Sequence, residues 1–300
     1  MKIRKIEISI GIIKNNNTYI CLKRKTKPYE NFIEFPGGKR KNNESISSCL
    51  IREMKEELDI KIKKYKYIGF IKHLYNDVLI KINIFKIFKH QGKISSIEKR
   101  DIILYNNNSS SSKLLPTHNR ILNTLSTPRL LKIINIDNIL DHNISDLSLY
   151  NHIRLRNISY KDYKKFVKDK LRSLNFSGKI IIDYPYTESW REKFDGIHYN
   201  SNNIKNYNHN ERNYNYTISA SCHTANDIEE CNQKLFDFIL LSPLHVSHNE
   251  YSLLGWTKFY ELCLDSYCPT LALGGLSLDG SDYNNCMKNY GFGIAGISRI

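Results

Sequence analysis

The sequence lacks a disulfide framework, a membrane-spanning run and an apolar leader, and each absence narrows the class of protein. Its 7 cysteines are odd in number, widely spaced and without a C-x-x-C pair, so a disulfide-stapled secreted fold is not expected. No stretch approaches the roughly 18 apolar residues that a membrane helix needs. Apolar residues alternate at Ile6, Ile8 and Ile10, which predicts a β-strand rather than a signal peptide. We therefore expect a soluble, cytoplasmic protein with free thiols.

The charge of the chain is strongly positive, with 45 Lys and Arg residues against 30 Asp and Glu residues and a formal net charge of +15. Clustered basic residues would indicate a polyanionic partner. Lys and Asn are instead spread along the whole chain, as at residues 14–17, which favours a dispersed, solvated surface. We predict no membrane partner and no stable nucleic-acid binding, although the positive background favours the approach of a nucleoside triphosphate.

The length of 300 residues, with 41% hydrophobic and 25% charged residues, predicts two globular domains. Proline discourages helix in the residue before it, so Thr127-Pro128 marks the expected boundary between a domain at 1–128 and a domain at 129–300. An Asn/Ser run at 106–112 cannot contribute to a core and is expected to form a surface loop.

The two parts have different apolar patterns. The first predicts a mixed sheet with a central helix, and its elements are strands at 6–13, 18–23, 65–73 and 78–88 and helices at 45–58 and 117–125. The second has eight apolar runs with helical patterns between most of them, at 131–136, 152–155, 179–183, 196–199, 217–221, 236–241, 270–273 and 293–297. Eight strands alternating with helices predict a trimmed (β/α)₈ barrel without the last helix.

Three carboxylates carry the chemistry of the first part. On the predicted helix Glu53, Glu56 and Glu57 stand at positions i, i+3 and i+4, so they share one face and repel one another. A divalent cation removes that repulsion, and a set of oxygen ligands favours Mg²⁺, with Mn²⁺ as the alternative. Arg52 can pair with one of these residues or with Glu44 and fix its conformation. The competing interpretation is a solvated acidic helix face balanced by neighbouring lysines.

The wider pattern favours the metal site, because it resembles the Nudix box. The matching residues are Gly38, Glu44, Arg52, Glu53, Met54, Glu56, Glu57 and Ile60. Asp59 stands where that family has a glycine, and Asp is among the few residues that tolerate the left-handed conformation often found there. The resemblance implies an α/β/α sandwich with a mixed sheet. It also implies catalytic roles for Glu53, Glu56, Glu57, Arg52 and Glu44.

Residues outside the box are similar to the MutT branch of that family. The run E-F-P-G-G-K is the one that borders the nucleotide in MutT proteins, and here it comprises Glu34, Phe35, Pro36, Gly37, Gly38 and Lys39. The resemblance implies that the Gly37 carbonyl is a metal ligand together with the three helix carboxylates. It further implies that Arg24 contacts the nucleotide.

Two later matches concern single residues. Glu98 fits the late glutamate of the family, which joins the metal cluster or acts as a base. Asn119 fits the asparagine that reads the edge of an 8-oxopurine. The alternatives are that Asn119 is a polar residue at a helix start and that Glu98 is an ordinary loop carboxylate beside Lys99 and Arg100.

The activity implied by the resemblance is Mg²⁺-dependent conversion of 8-oxo-dGTP to 8-oxo-dGMP and pyrophosphate, which would sanitise the nucleotide pool and prevent mutation. Discrimination would follow because a normal guanine leaves polar groups of the site unpaired. Two rival hypotheses are a Nudix hydrolase for another nucleoside diphosphate derivative and a thiamine-pathway binding or synthase protein.

The second part is similar from Ile218 onward to thiamine phosphate synthase, and to the barrel fused behind many MutT proteins. The segments that carry this resemblance are 219–224, 236–243, 254–256, 272–276 and 293–298, with an earlier match at 195–198. The resemblance implies a phosphate site at Gly274, Gly275 and Ser298. Asp183 is the only plausible counterpart of the synthase's acidic residues, and the synthase's lysine has no counterpart, so we expect a non-catalytic or phosphate-ligand-binding barrel. A Zn²⁺ site is a less favoured alternative, formed by Cys222, His223, His245 and His248.

Overall fold

The computed structural model describes residues 3–106, 113–135, 147–157, 159, 161, 176–185, 194–213, 216–247, 251–278 and 280–297. The chain divides into two compact units, Met1–Leu125 and Ser126–Ile300. Most of the Asn/Ser run lies outside the described residues, as do Ser298 and His248.

The first unit is built on a seven-stranded mixed sheet. Its strands are β1 (Arg4–Asn15), β2 (Thr18–Lys23), β3 (Ile33–Glu34), β4 (Gly37–Lys39), β5 (Lys61–Tyr75), β6 (Val78–Gln91) and β7 (Ile102–Tyr105). The main path runs β3-β2-β1-β6-β5, while β4 pairs with β1 and β7 pairs with β2. β1 is the central strand, since it runs parallel to β6 and antiparallel to β4. The short strands β3, β4 and β7 were not predicted, because two to four residues carry too little periodicity.

Two helices belong to this unit, α1 (Ile46–Leu58) and α2 (His118–Ser126). α1 begins after Ser45, whose hydroxyl accepts a hydrogen bond from the Ser48 N–H, as an N-cap residue does. Leu50, Met54 and Leu58 of α1 pack with Phe85 and Ile87 in one core. A second core contains Ile121 of α2, with Ile10, Ile12, Ile82 and Ile84. The helices thus contribute to separate cores around the sheet, which is the predicted α/β/α sandwich.

The second unit is a closed barrel of eight parallel strands, as predicted. These are β8 (Leu130–Asn135), β9 (His152–Arg156), β10 (Lys179–Asp183), β11 (Gly196–Tyr199), β12 (Thr217–Cys222), β13 (Phe238–Leu241), β14 (Thr270–Leu273) and β15 (Gly293–Gly296). β15 pairs with β8 and closes the barrel. The described α-helices between its strands are α3 (Ala225–Gln233), α4 (Gly255–Asp265) and α5 (Asp282–Lys288). Short 3₁₀ turns at Ser201–Asn206 and His209–Glu211 follow β11.

Candidate active site

The site is assembled where the glycine strand β4 meets the carboxylates of α1. Gly37 has a φ of +142°, and a Cβ there would collide with the Ser9 carbonyl of β1, so only glycine allows the strand to lie this close. A Cβ at Gly38 would come within 2.5 Å of the Glu53 carboxyl carbon. The two glycines therefore bring the backbone against the acidic face of the helix.

Glu57 is the most deeply buried of the three carboxylates, with 6% of its surface exposed. Its Oε2 accepts a hydrogen bond from the Gly37 N–H at 2.7 Å, and its Oε1 forms an ion pair with Arg100. Burial raises the pKa of the Glu57 carboxyl to about 7, against the opposing effects of Arg100 and the Gly37 N–H. A carboxyl whose pKa lies near neutrality can both accept and release a proton at physiological pH.

Arg52 organises the other carboxylates. Its Nε and Nη2 donate to the two oxygens of Glu44 at 2.8 and 2.9 Å. Its Nη1 donates to Glu53 at 2.7 Å and to Glu56 at 2.8 Å. The hydrogen bond from Arg52 lowers the pKa of Glu44 to about 2, whereas burial raises the pKa of Glu53. One guanidinium thus fixes three carboxylates, including the pairing with Glu44 that the sequence offered as one option.

The donor set suits a hard divalent cation, although the described residues do not hold a ready-made metal cluster of three or more His, Cys, Asp or Glu side chains. Arg52 and Arg100 contact the carboxylate oxygens that a cation would use. Carboxylate oxygens gathered beside a backbone strand, with a buried Glu57 among them, fit the chemistry that Mg²⁺ requires.

Glu34 connects this cluster to the predicted nucleotide-binding residues. Its Oε2 accepts from Arg24 Nη1 at 2.8 Å, and its Oε1 pairs with Arg100. Arg24 is further fixed by the carbonyls of Thr26 and Pro28. The structure therefore brings Arg24 and Glu34 into one ion-pair network with Glu57.

The remaining residues of the E-F-P-G-G-K run have different environments. Phe35 is buried and stacks on His118, with ring centroids 4.4 Å apart and planes 11° apart. Pro36 is buried, its carbonyl accepts from the Gly11 N–H, and Lys39 is exposed. His118 begins α2, so its contact with Phe35 anchors that helix start. Asn119 is the next residue and is half-buried.

Arg100, to which the sequence analysis gave no role, contacts the carboxylates of the site, and Glu98 lies two residues before it. Glu98 is exposed, and its backbone carbonyl, rather than its carboxylate, accepts a hydrogen bond from Lys25. Arg100, two residues later, pairs with Glu34 and Glu57. A buried acidic residue needs a cationic partner, but the sequence contains many candidates and does not indicate which one reaches it. The roles of Glu98 as a metal ligand or base stay predictions.

The second unit has a cavity of about 710 Å³ at the carboxyl ends of its strands. Gly274 and Gly275 line it with φ values of +115° and +74°. Arg154 and Arg156 of β9 also line it, and Arg154 donates to Asp183 at 2.7 and 3.1 Å. Ser298, the third residue of the predicted phosphate site, lies outside the described residues.

The alternative Zn²⁺ site is not supported by the described residues. Cys222 is buried with its Sγ 3.6 Å from the Sγ of Cys231, and His223 Nδ1 contacts the Ser242 carbonyl oxygen at 2.8 Å. His245 lies 3.7 Å from Asp282. No His, Cys, Asp and Glu side chains of the described chain form a cluster of three or more around a metal position there.

None of the described helices has the length and apolar character that crossing a membrane would require.

Comparison with known proteins agrees with the geometry of the first unit. Residues 5–96 match the model of the NUDIX domain. The chain is 42% identical over 98 residues to an 8-oxo-dGTP diphosphatase of Buchnera aphidicola subsp. Schizaphis graminum. This match covers 33% of this chain and 73% of that protein. It is 29% identical over 94 residues to an 8-oxo-dGTP diphosphatase of Proteus vulgaris, covering 31% of this chain and 84% of that protein.

A solved structure, thiamine phosphate pyrophosphorylase from Pyrococcus furiosus, is similar to 57% of this chain and 86% of its own, with 16% identity and a TM-score of 0.41. The sequence relatives and the residues of the Nudix box show the family of the chain. The box residues meet around the glycine strand β4, and they are Glu44, Arg52, Glu53, Glu56 and Glu57. The chain therefore belongs to the Nudix family and is a hydrolase that acts on pyrophosphate bonds.

Proposed function

We propose that the first unit converts 8-oxo-dGTP to 8-oxo-dGMP and pyrophosphate with the help of Mg²⁺, and so removes an oxidised nucleotide before it enters DNA. The support comes from two relatives that are 8-oxo-dGTP diphosphatases and match this unit. The observation that carries the proposal is the ion-pair network that links Arg24 and Glu34 to Glu57 through Arg100. It connects residues predicted to bind the nucleotide with a residue predicted to take part in hydrolysis.

The residues that would hold Mg²⁺ are Gly37, through its carbonyl, and the carboxylates of Glu53, Glu56, Glu57 and Glu98. The chemistry that the bound ion supplies is neutralisation of phosphate oxygens and a lower pKa for water. Glu57 is the most deeply buried of the three helix carboxylates, and we assign it to accept the proton of the attacking water.

The other side chains orient the reactants. Arg52, held by Glu44, keeps Glu53 and Glu56 in place. Arg24 contacts the nucleotide, and Asn119 forms hydrogen bonds with the altered edge of the base. A site that pairs with polar atoms present only in the 8-oxo form discriminates strongly, because the normal base leaves those groups unsatisfied.

A substrate panel tests this proposal. The purified chain is incubated with Mg²⁺ and 8-oxo-dGTP, dGTP, ADP-ribose or thiamine diphosphate, beside Glu57→Gln, and the products are separated by chromatography. We expect 8-oxo-dGMP and pyrophosphate from the wild type and almost none from the variant. Faster turnover of ADP-ribose would instead favour a Nudix hydrolase for another nucleoside diphosphate derivative, and would refute the assignment.

For the second unit we propose binding of a phosphate-bearing ligand without synthase activity. The support is the cavity of about 710 Å³ with two arginines and the glycines Gly274 and Gly275, since backbone N–H groups of such loops suit phosphate oxygens. Gly275→Ala should weaken binding of inorganic phosphate measured by calorimetry in the Glu57→Gln background, because a Cβ would lie 2.6 Å from Val246 Cγ2. Robust thiamine phosphate synthase turnover would contradict the proposal.

A further inference from the structure

Arg100 is held from several directions inside the first unit. Only 8% of its side chain is exposed. Its backbone N–H donates to Ser96 Oγ at 2.8 Å, and its Nε donates to the Lys23 carbonyl at 3.2 Å. The two terminal nitrogens are then directed to Glu57 and Glu34. The guanidinium is therefore a nearly buried positive charge with defined hydrogen-bond partners.

The contacts of Glu57 leave little room for a further cation. One oxygen accepts from the Gly37 N–H at 2.7 Å, and the other is paired with Arg100. The side chain of Glu57 is 7% exposed. An ion that takes the second oxygen must displace the guanidinium or share the carboxylate with it. Sharing brings two positive charges together in a partly desolvated region, where charges interact more strongly than in water. Displacement breaks the ion pair between Arg100 and Glu57.

We propose that Arg100 is a positioning residue that acts as an internal counter-cation for Glu57 and competes with the divalent metal for it. This inference rests on the proposed metal-dependent function. In the metal-free protein Arg100 pairs with the buried carboxylate of Glu57 and with the half-buried carboxylate of Glu34. The same charge opposes the entry of a cation until the negative charge of a triphosphate arrives. Metal loading is thus weak in the free protein and becomes favourable with nucleotide.

This role differs from that of Arg52. Arg52 contacts Glu53 and Glu56 through a single nitrogen and is anchored by Glu44, and Glu56 is 47% exposed. Solvent screens charges at such an exposed position. Arg100 differs because both of its ion-pair partners, Glu57 and Glu34, are carboxylates of the network itself, while its Nε donates to the Lys23 carbonyl.

The test is direct Mn²⁺ binding to the full chain without nucleotide, measured from the free Mn²⁺ signal in electron paramagnetic resonance. Arg100→Gln keeps a hydrogen-bonding side chain but removes the charge, and we expect its affinity for Mn²⁺ to rise on the order of tenfold, as loss of a nearby like charge dictates. Arg100→Lys keeps the charge and should stay within a few-fold of wild type. Lys55→Gln removes one exposed charge from α1 and serves as the control.

The direction of the change in Mn²⁺ affinity separates this role from a merely structural one. If Arg100 only braced the fold, its removal would disorder Glu57 and weaken Mn²⁺ binding. Unchanged or weaker binding in Arg100→Gln therefore overturns the inference and leaves the proposed function standing. Absence of Mn²⁺ binding in wild type and variants alike would instead contradict the proposed metal site, and the inference with it.

A measurement on the wild type covers the case in which Arg100→Gln does not fold. In protein labelled with ¹⁵N at arginine, the guanidinium signal that Arg100→Lys removes should shift when Mg²⁺ is added without nucleotide. The expected cause is loss of the ion pair with Glu57. A signal that stays unchanged at saturating Mg²⁺ would show that the cation and Arg100 do not compete.

Discussion

Arg52 binds Glu44 through two parallel hydrogen bonds, from Nε at 2.8 Å and from Nη2 at 2.9 Å. Because both partners are fixed, Nη1 of Arg52 can hold Glu53 and Glu56 at the same time. Loss of a residue that orients metal ligands typically costs about 10–100-fold in activity. We expect Glu44→Gln to lower kcat by roughly this factor, measured by steady-state turnover with saturating Mg²⁺.

Lys55→Gln is the matched control for that substitution. Lys55 lies on the same helix, is 64% exposed and pairs with Asp59, so its removal should leave kcat within a factor of about two, as surface ion pairs contribute little. Equal kcat values for Glu44→Gln and Lys55→Gln would show that the Arg52–Glu44 contact does not organise the site.

Glu57→Gln tests the group assigned to proton transfer. A positioned general base contributes about 10²–10⁴-fold to rate, and Gln has nearly the same shape without the proton affinity. We expect kcat to fall by a factor in that range while the circular dichroism spectrum is unchanged. A kcat within a few-fold of wild type would assign the base elsewhere, with Glu98 the first residue to examine.

The same residue gives the metal-free protein a defined pH dependence. Burial raises the pKa of Glu57 from 4.5 to about 7, so between these values the folded protein keeps a proton that the unfolded chain releases. The resulting stability is present below about pH 4.5 and is lost as the pH rises through 7.

Urea unfolding in EDTA at about pH 5 and about pH 8 measures this effect. The free energy of unfolding attributable to Glu57 should fall over that interval, with each pKa unit equivalent to about 1.4 kcal/mol. Glu57→Gln should lack this component. Identical pH profiles for wild type and variant would mean that Glu57 titrates normally in the folded protein.

Asn119→Ala addresses base discrimination. Removing the amide should erase the preference for 8-oxo-dGTP over dGTP and leave residual Mg²⁺-dependent hydrolysis, because the carboxylate cluster is untouched. The ratio of kcat/KM values for the two nucleotides is the measurement. Asn123→Ala, one turn further along α2, is the control and should keep the preference. A preserved ratio in Asn119→Ala would return Asn119 to a polar residue at a helix start.

Asp59→Gly tests the departure from the family pattern. Asp59 ends α1 with φ of 55° and ψ of 32°, the left-handed conformation in which glycine carries no Cβ penalty. We expect Gly to stabilise the protein by up to about 1 kcal/mol and to leave kcat unchanged, since Lys55 loses only an exposed ion pair. Thermal unfolding provides the comparison, and Asp59→Ala should unfold at a lower temperature than wild type.

The positions of the strands and helices could be predicted from the sequence where the apolar pattern extends over several residues. β2, α1 and most barrel strands lie at or within two residues of their predicted positions, because apolar spacing and the Ser45 cap define them locally. The short strand β4 could not be predicted from periodicity, since Gly37–Lys39 is set by its pairing with β1.

The sequence predicts which residues belong to the candidate site, but it does not predict which of their side chains contact one another. The spacing of Glu53, Glu56 and Glu57 places them on one helix face by geometry alone. The contact of Arg100 with Glu57 spans 43 positions in sequence and depends on how the segment before β7 packs. No local pattern marks it, because many basic residues in this chain are equally plausible partners.

The most direct test of the account is a competition between 8-oxo-dGTP and dGTP in one reaction with wild-type chain and Mg²⁺, followed by chromatography of the two monophosphates. We expect 8-oxo-dGMP to accumulate far ahead of dGMP, and we expect EDTA to stop the formation of both monophosphates. Equal rates of formation, or hydrolysis that persists in EDTA, would contradict it.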